Sequence, residues 1–255
     1  MKFKEIFHVT RGTKIITGIS IGISAITLLS AYWYYRSLNR ADDPMLLPVK
    51  QLMFQSERSS SAANYAEALH LLDSALQLIN QLEAYHSSYE IGVIYNNMAS
   101  IYLMKSLYDS LLLTEEKELS LKNAISCADS GINNYLRWTI VWGKLPEAEI
   151  DHNISQYYKT GQDVFIGLNT AKIKKKRIRS ILEAQRETPR RLSVAYTNLG
   201  TAYRHLHQPD SALRYFGKAL ELWDKNQTAK SNLNVFMGGK PVKPSVIEKL
   251  FPPEK

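Results

Sequence analysis

The strongest constraint on this chain is a run of 21 residues without a charge, Ile15 to Tyr35, reading IITGISIGISAITLLSAYWYY. As a helix it extends about 30 Å, the thickness of a bilayer hydrocarbon core. Lys14 closes one end and Arg36 the other, and Tyr32, Trp33, Tyr34 and Tyr35 cluster where amphipathic rings favour the headgroup level. A cleaved signal peptide would carry an apolar region of about 7–15 residues ending in small side chains. This run is longer and ends in bulky rings, so residues 15–35 are read as an uncleaved single-pass anchor. Four Lys and Arg precede it (Lys2, Lys4, Arg11, Lys14) and two follow closely (Arg36, Arg40), which orients the N-terminus toward the cytoplasm. Gly18 and Gly22 form a GxxxG that permits close helix pairing, although glycine is common in such spans anyway.

Beyond residues 36–48, read as a linker around DDPMLLP, no run of alternating β-branched residues occurs. Apolar residues recur at intervals of three and four, as on helices. Ala68, Leu69, Leu72, Ala75 and Leu76 show the pattern, and so do Leu199, Ala202, Tyr203, Ala212, Leu213, Phe216, Ala219 and Leu220. The intervening HLHQPD places Pro209 and Asp210 at a turn and helix start. The 45% hydrophobic and 22% charged composition suits a packed core, and a single cysteine excludes a disulfide framework.

Residues 193–226 resemble a tetratricopeptide repeat, whose unit is two helices in about 34 residues. Tyr196, Leu199, Gly200, Tyr203, Ala212, Phe216 and Ala219 occupy the family's pattern positions, while Asp224 stands where the terminal proline is usual. Two further units are more divergent. In 92–135, Tyr95, Met98, Ala99 and Tyr102 form a good first helix, but Ala124, Ala128 and Gly131 come about 13 residues later than the period allows. In 49–82, Gln55, Ser56 and Ser59 stand where Leu, Gly and Tyr belong, and Ala68, Leu72 and Ala75 recover the pattern. The stretch 142–191 has no clear register. The expected fold is therefore all-α: a transmembrane helix after a basic segment 1–14, then a helical-hairpin solenoid over 49–232, then an extended Pro-rich tail over 233–255 in which Ser245–Leu250 forms one short helix.

Chemistry-bearing patterns are sparse. His205 and His207 are two apart and cannot share a metal as an i, i+4 pair does. Cys127 reads as a small buried hydrophobe. Glu115, Glu116 and Glu118 read as a solvated face, and no phosphate-cradling loop or nucleophile elbow appears. The acceptor motifs at Asn153 and Asn226 are short enough to arise by chance. No cofactor, metal or catalytic residue is expected. The charge distribution is more informative. Of the net +8, Lys172–Arg191 carries +7 and the first 14 residues +3, leaving −2 elsewhere. Lys172, Lys175, Lys176 and Arg179 share one helical flank, whereas Lys174 and Arg177 fall among Ile173, Ile178 and Ile181. A solvated face, contact with anionic lipid and an acidic partner all remain open for this run; nucleic acid is not expected.

The resemblance implies a non-catalytic module whose first helices line a groove for a protein partner. Val194, Thr197, Thr201 and Arg204 of the last unit, and Val93, Asn96, Ser100 and Leu103 of the stretched one, would face that groove. They would form an open floor of mostly short side chains. Asn97 and Asn198 lack the lysines of the chaperone-tail clamp, which is therefore rejected. The leading expectation is a membrane-anchored adaptor or scaffold; the alternative is a permanent subunit of a larger membrane complex. A bacterial inner membrane with a periplasmic domain is favoured, with the mitochondrial inner membrane facing the intermembrane space as the alternative.

Overall fold

The computed structural model describes residues 42–159, 161 and 163–242. The expected anchor at 15–35 and the expected short helix at Ser245–Leu250 lie outside the described residues. Contacts divide the chain after Asp42, and the unit beginning at Asp43 is the one described below. Among the described residues there is no strand, and no helix is long and apolar enough to cross a membrane.

The described residues form eight α-helices in order: α1 Leu47–Ser61, α2 Tyr65–Asn80, α3 Tyr89–Tyr108, α4 Thr114–Trp142, α5 Glu147–Ile154, α6 Thr170–His205, α7 Pro209–Leu222 and α8 Gln227–Phe236. Local signals start them. Pro48 and Pro209 sit in the first turns of α1 and α7, where a missing N–H costs nothing. Asn64, Asn169 and Asn226 cap α2, α6 and α8, each side chain accepting from a first-turn backbone N–H.

The helices pack as hairpins α1/α2, α3/α4 and α6/α7, and the hairpins stack through α2 on α3 and α4 on α6. Each hairpin carries a serine on its first helix donating to a carbonyl of the second: Ser56 Oγ to Ala68 O (2.7 Å), Ser106 Oγ to Lys117 O (3.1 Å) and Ser193 Oγ to Ala219 O (2.6 Å). Glycines set the closest approaches. A Cβ on Gly92 would stand 2.6 Å from the Tyr135 ring, and one on Gly200 would stand 2.6 Å from the Phe216 ring. In the first hairpin Ser56 stands at the register position of Gly200 and turns its hydroxyl into α2.

Several boundaries differ from expectation. The linker read over 36–48 ends in packed structure: Asp43 and Leu46 are buried, and α1 begins at Leu47. Asp43 Oδ2 accepts from Tyr85 Oη at 2.7 Å and from Tyr158 Oη, so a short polar side chain pins this segment to two distant loops. The extra residues of the stretched unit lengthen its helices to 20 and 29 residues. The region without register resolves into α5, two 3₁₀ turns and the first half of α6, a single 36-residue helix that continues through Pro189 into the last repeat. Its register is hidden because buried Ile173, Ile178, Ile181 and Ala184 pack on Trp138, Ile150 and Ile154 rather than on a hairpin partner. The tail read as extended from 233 is helical to Phe236, since Asn226 starts α8 and its buried Ala229 packs inward.

Candidate partner-binding face

The groove positions do not form one open floor. Thr197 is buried: its hydroxyl donates to Ser193 O and accepts from the Asn226 amide at 2.9 Å. The Thr201 hydroxyl donates to Thr197 O and accepts from the Asn232 amide at 3.1 Å. Helix α8 therefore lies against this face of α6, and the threonines that the resemblance assigns to a partner hold the chain's own α8 instead. Val194 and Arg204 are half-buried beside them. On α3, Leu103 is buried in a cluster with Leu121, Ala124 and Ala202, because the long α4 and α6 close over it. Val93 packs at the edge of the cluster around Tyr135 and Leu199. Asn96 Oδ1 accepts from the Asn198 amide at 2.9 Å, joining α3 to α6. The short side chains that looked available are spent on helix–helix hydrogen bonds, because a small polar residue between packed helices must be paired.

Ser100 lines an open space. A cleft of about 590 Å³ separates α1 from α3. Met53, Phe54, Ile101 and Met104 supply an apolar lining, with Lys50, Glu57, Asn97 and Ser100 among the polar groups. Phe54 is 59% exposed at its edge. The sequence places a divergent first helix in 49–82 but gives no sign of its part in this cleft, because Gln55, Ser56 and Ser59 obscure its register. Met53 and Met104, two flexible apolar residues facing one another across helices, were the available signal.

The basic run divides into two faces. Arg177 is buried, paired with Glu90 and laid 4.4 Å from the ring centre of Tyr85, so it is part of the core and not of a surface patch. Lys174 pairs with Asp151 at 2.8 Å and donates to Ser155 Oγ. Lys172, Lys175 and Arg179 are exposed and Lys176 is half-buried. A buried guanidinium needs a buried carboxylate, and Glu90 in the first turn of α3 supplies it. The isoleucines surrounding Arg177 carry its position inward.

Cys127 is half-buried, and burial pushes its thiol up to about 11, away from the thiolate that nucleophilic chemistry requires. Asn226, one of the two acceptor motifs, is 3% exposed and committed to capping α8. No group of three His, Cys, Asp or Glu side chains suited to a metal occurs among the described residues.

No curated protein and no solved structure matches the chain. Residues 193–226, which hold the end of α6, all of α7 and the turn to Asn226, match the family model described as Tetratricopeptide repeat, so this hairpin is such a repeat.

Proposed function

We propose that the chain is a non-catalytic adaptor that receives a protein partner in the cleft between α1 and α3 and is held at a membrane by residues 15–35. The cleft supports this reading best. It lies between the first helices of two successive hairpins, where a tetratricopeptide-type array would take a peptide or partner helix. An exposed Phe54 beside Met53 and Met104 suits an apolar anchor residue, and Asn97 and Ser100 can bond its backbone. A photo-crosslinking residue at position 54 should trap a discrete partner, and Ser100→Glu should abolish the adduct while leaving the melting temperature unchanged. An adduct that persists in Ser100→Glu would move the binding face elsewhere. The same chain in intact spheroplasts should lose residues beyond 42 to external protease; protection until the membrane is dissolved would reverse the proposed topology.

A permanent-subunit reading draws on the loop between α3 and α4, where Tyr108, Leu111 and Leu113 are exposed together with Leu119. An obligate subunit would co-migrate with constant partners after detergent extraction, whereas a free adaptor would run alone or as a dimer.

A further inference from the structure

The loop that precedes α6 holds three large aliphatic side chains in water. Val164 is 41% exposed, Ile166 73% and Leu168 43%. Their exposure is built in, because Phe165 between them is 3% exposed and stacks on Tyr158 at 5.7 Å between ring centres. With Phe165 locked inward, its two neighbours are presented outward. Within three residues of the Asn169 cap the exposed flank of α6 begins, with Lys172, Lys175 and Arg179 spaced to share one side. Between positions 159 and 179 the only acid is Asp163.

A second exposed apolar loop provides a contrast. Leu111 and Leu113 stand beside Asp109, Glu115, Glu116 and Glu118, which Lys117 and Lys122 offset only in part, so this loop lacks the cationic excess that an anionic surface would attract. The loop before α6 pairs its apolar tip with cations, the combination by which a peripheral element enters a negatively charged bilayer surface.

We propose that this corner, Val164, Ile166 and Leu168 with Lys172, Lys175 and Arg179, is a second membrane contact that docks on anionic lipid headgroups. The inference rests on the anchored reading above. It also redefines the lipid-facing part of the basic run: Lys174 and Arg177 belong to the packed interior, and the apolar tip supplies what the cations alone lack.

The test uses the full chain with an environment-sensitive fluorophore on Ile166→Cys in a Cys127→Ser background, reconstituted into nanodiscs. In discs containing phosphatidylglycerol the label should shift to the blue and brighten several-fold. In pure phosphatidylcholine discs it should remain water-like. High salt should reverse the shift. Lys172→Gln, Lys175→Gln and Arg179→Gln together should weaken partitioning roughly 100-fold, at about fivefold per charge. The same label on Leu111→Cys should stay dark throughout. A water-like Ile166 label in both disc types overturns the proposal and leaves the corner to an acidic protein, and so does an equal shift in both types. Failure of the anchor reads differently, as a chain that co-elutes with neither disc type. The labelled chain mixed with phosphatidylglycerol vesicles must then still show the Ile166 shift, or the contact is refuted independently.

Discussion

Single atoms decide the spacing of the hairpins. Gly200 and Gly92 are glycine because a ring occupies the place of their Cβ. Gly200→Ala should cost about 1–3 kcal/mol, since Phe216 is fully buried and cannot move aside. Urea denaturation of the variant measures this, and an unchanged midpoint would mean that α7 shifts freely. Buried phenols make the fold sensitive to alkali. Burial, reinforced by Glu90, pushes Tyr89 up to about 12, and burial pushes Tyr135 up to about 12 as well. The unfolded chain releases these protons near pH 10. The folded state thus holds more protons between about pH 10 and 12, and stability falls as pH rises through that window, by up to about 1.4 kcal/mol per pH unit for each tyrosine. Below pH 10 neither group contributes a slope. Urea midpoints near pH 9 and pH 11, compared with tyrosinate absorbance, test the direction.

At the scale of an element, α8 shows how a short helix is retained. Ten residues are too few to be stable alone. Asn226 compensates by capping Ala229 N through its carbonyl oxygen while its amide donates to Ser193 Oγ (2.8 Å) and Thr197 Oγ1. Asn226→Ala should cost about 2 kcal/mol through the lost cap and the lost amide bonds to two buried hydroxyls. Hydrogen exchange should quicken across Gln227–Phe236 while α3 and α4 keep their protection; uniform acceleration would show that α8 does not open by itself. Thr197→Glu should be destabilising for the same reason, because a carboxylate there has no room beside Asn226.

At the scale of the whole unit, stacked repeats ordinarily communicate only with their neighbours. Here a buried polar network crosses that order. Asp43 before α1 bonds Tyr85 after α2 and Tyr158 after α5, while Arg177 of α6 covers Tyr85 and pairs with Glu90 of α3. Arg177→Met strands the Glu90 carboxylate and should cost about 3–5 kcal/mol, part of which Glu90→Gln should restore in the double variant. Asp43→Ala should uncouple the first hairpin from the rest. Circular dichroism and tryptophan emission, which no residue of the first hairpin supplies, should give coincident midpoints in the native chain and separate ones in Asp43→Ala. Coincident midpoints in both would assign cooperativity to the stacked apolar faces alone.

Helix type and the last repeat were legible in the sequence because both are local properties. Three- and four-residue periodicity needs only neighbours in the chain, and the Tyr196, Gly200, Ala212 and Phe216 spacing encodes a close crossing within one hairpin. Wheel arithmetic also put Lys174 and Arg177 among isoleucines. What that meant, a core ion pair to Glu90 and a surface pair to Asp151, depended on residues 87 and 23 positions away along the chain. The groove positions are ambiguous in sequence for a related reason. A threonine at a groove position reads the same whether it faces solvent or another helix, and only the return of α8 across α6 decides between them. The cleft beside Ser100, the locked Phe165 and the pinned Asp43 belong to tertiary structure alone. Each arises where segments distant in sequence meet, and local pattern carries no information about which distant segment arrives.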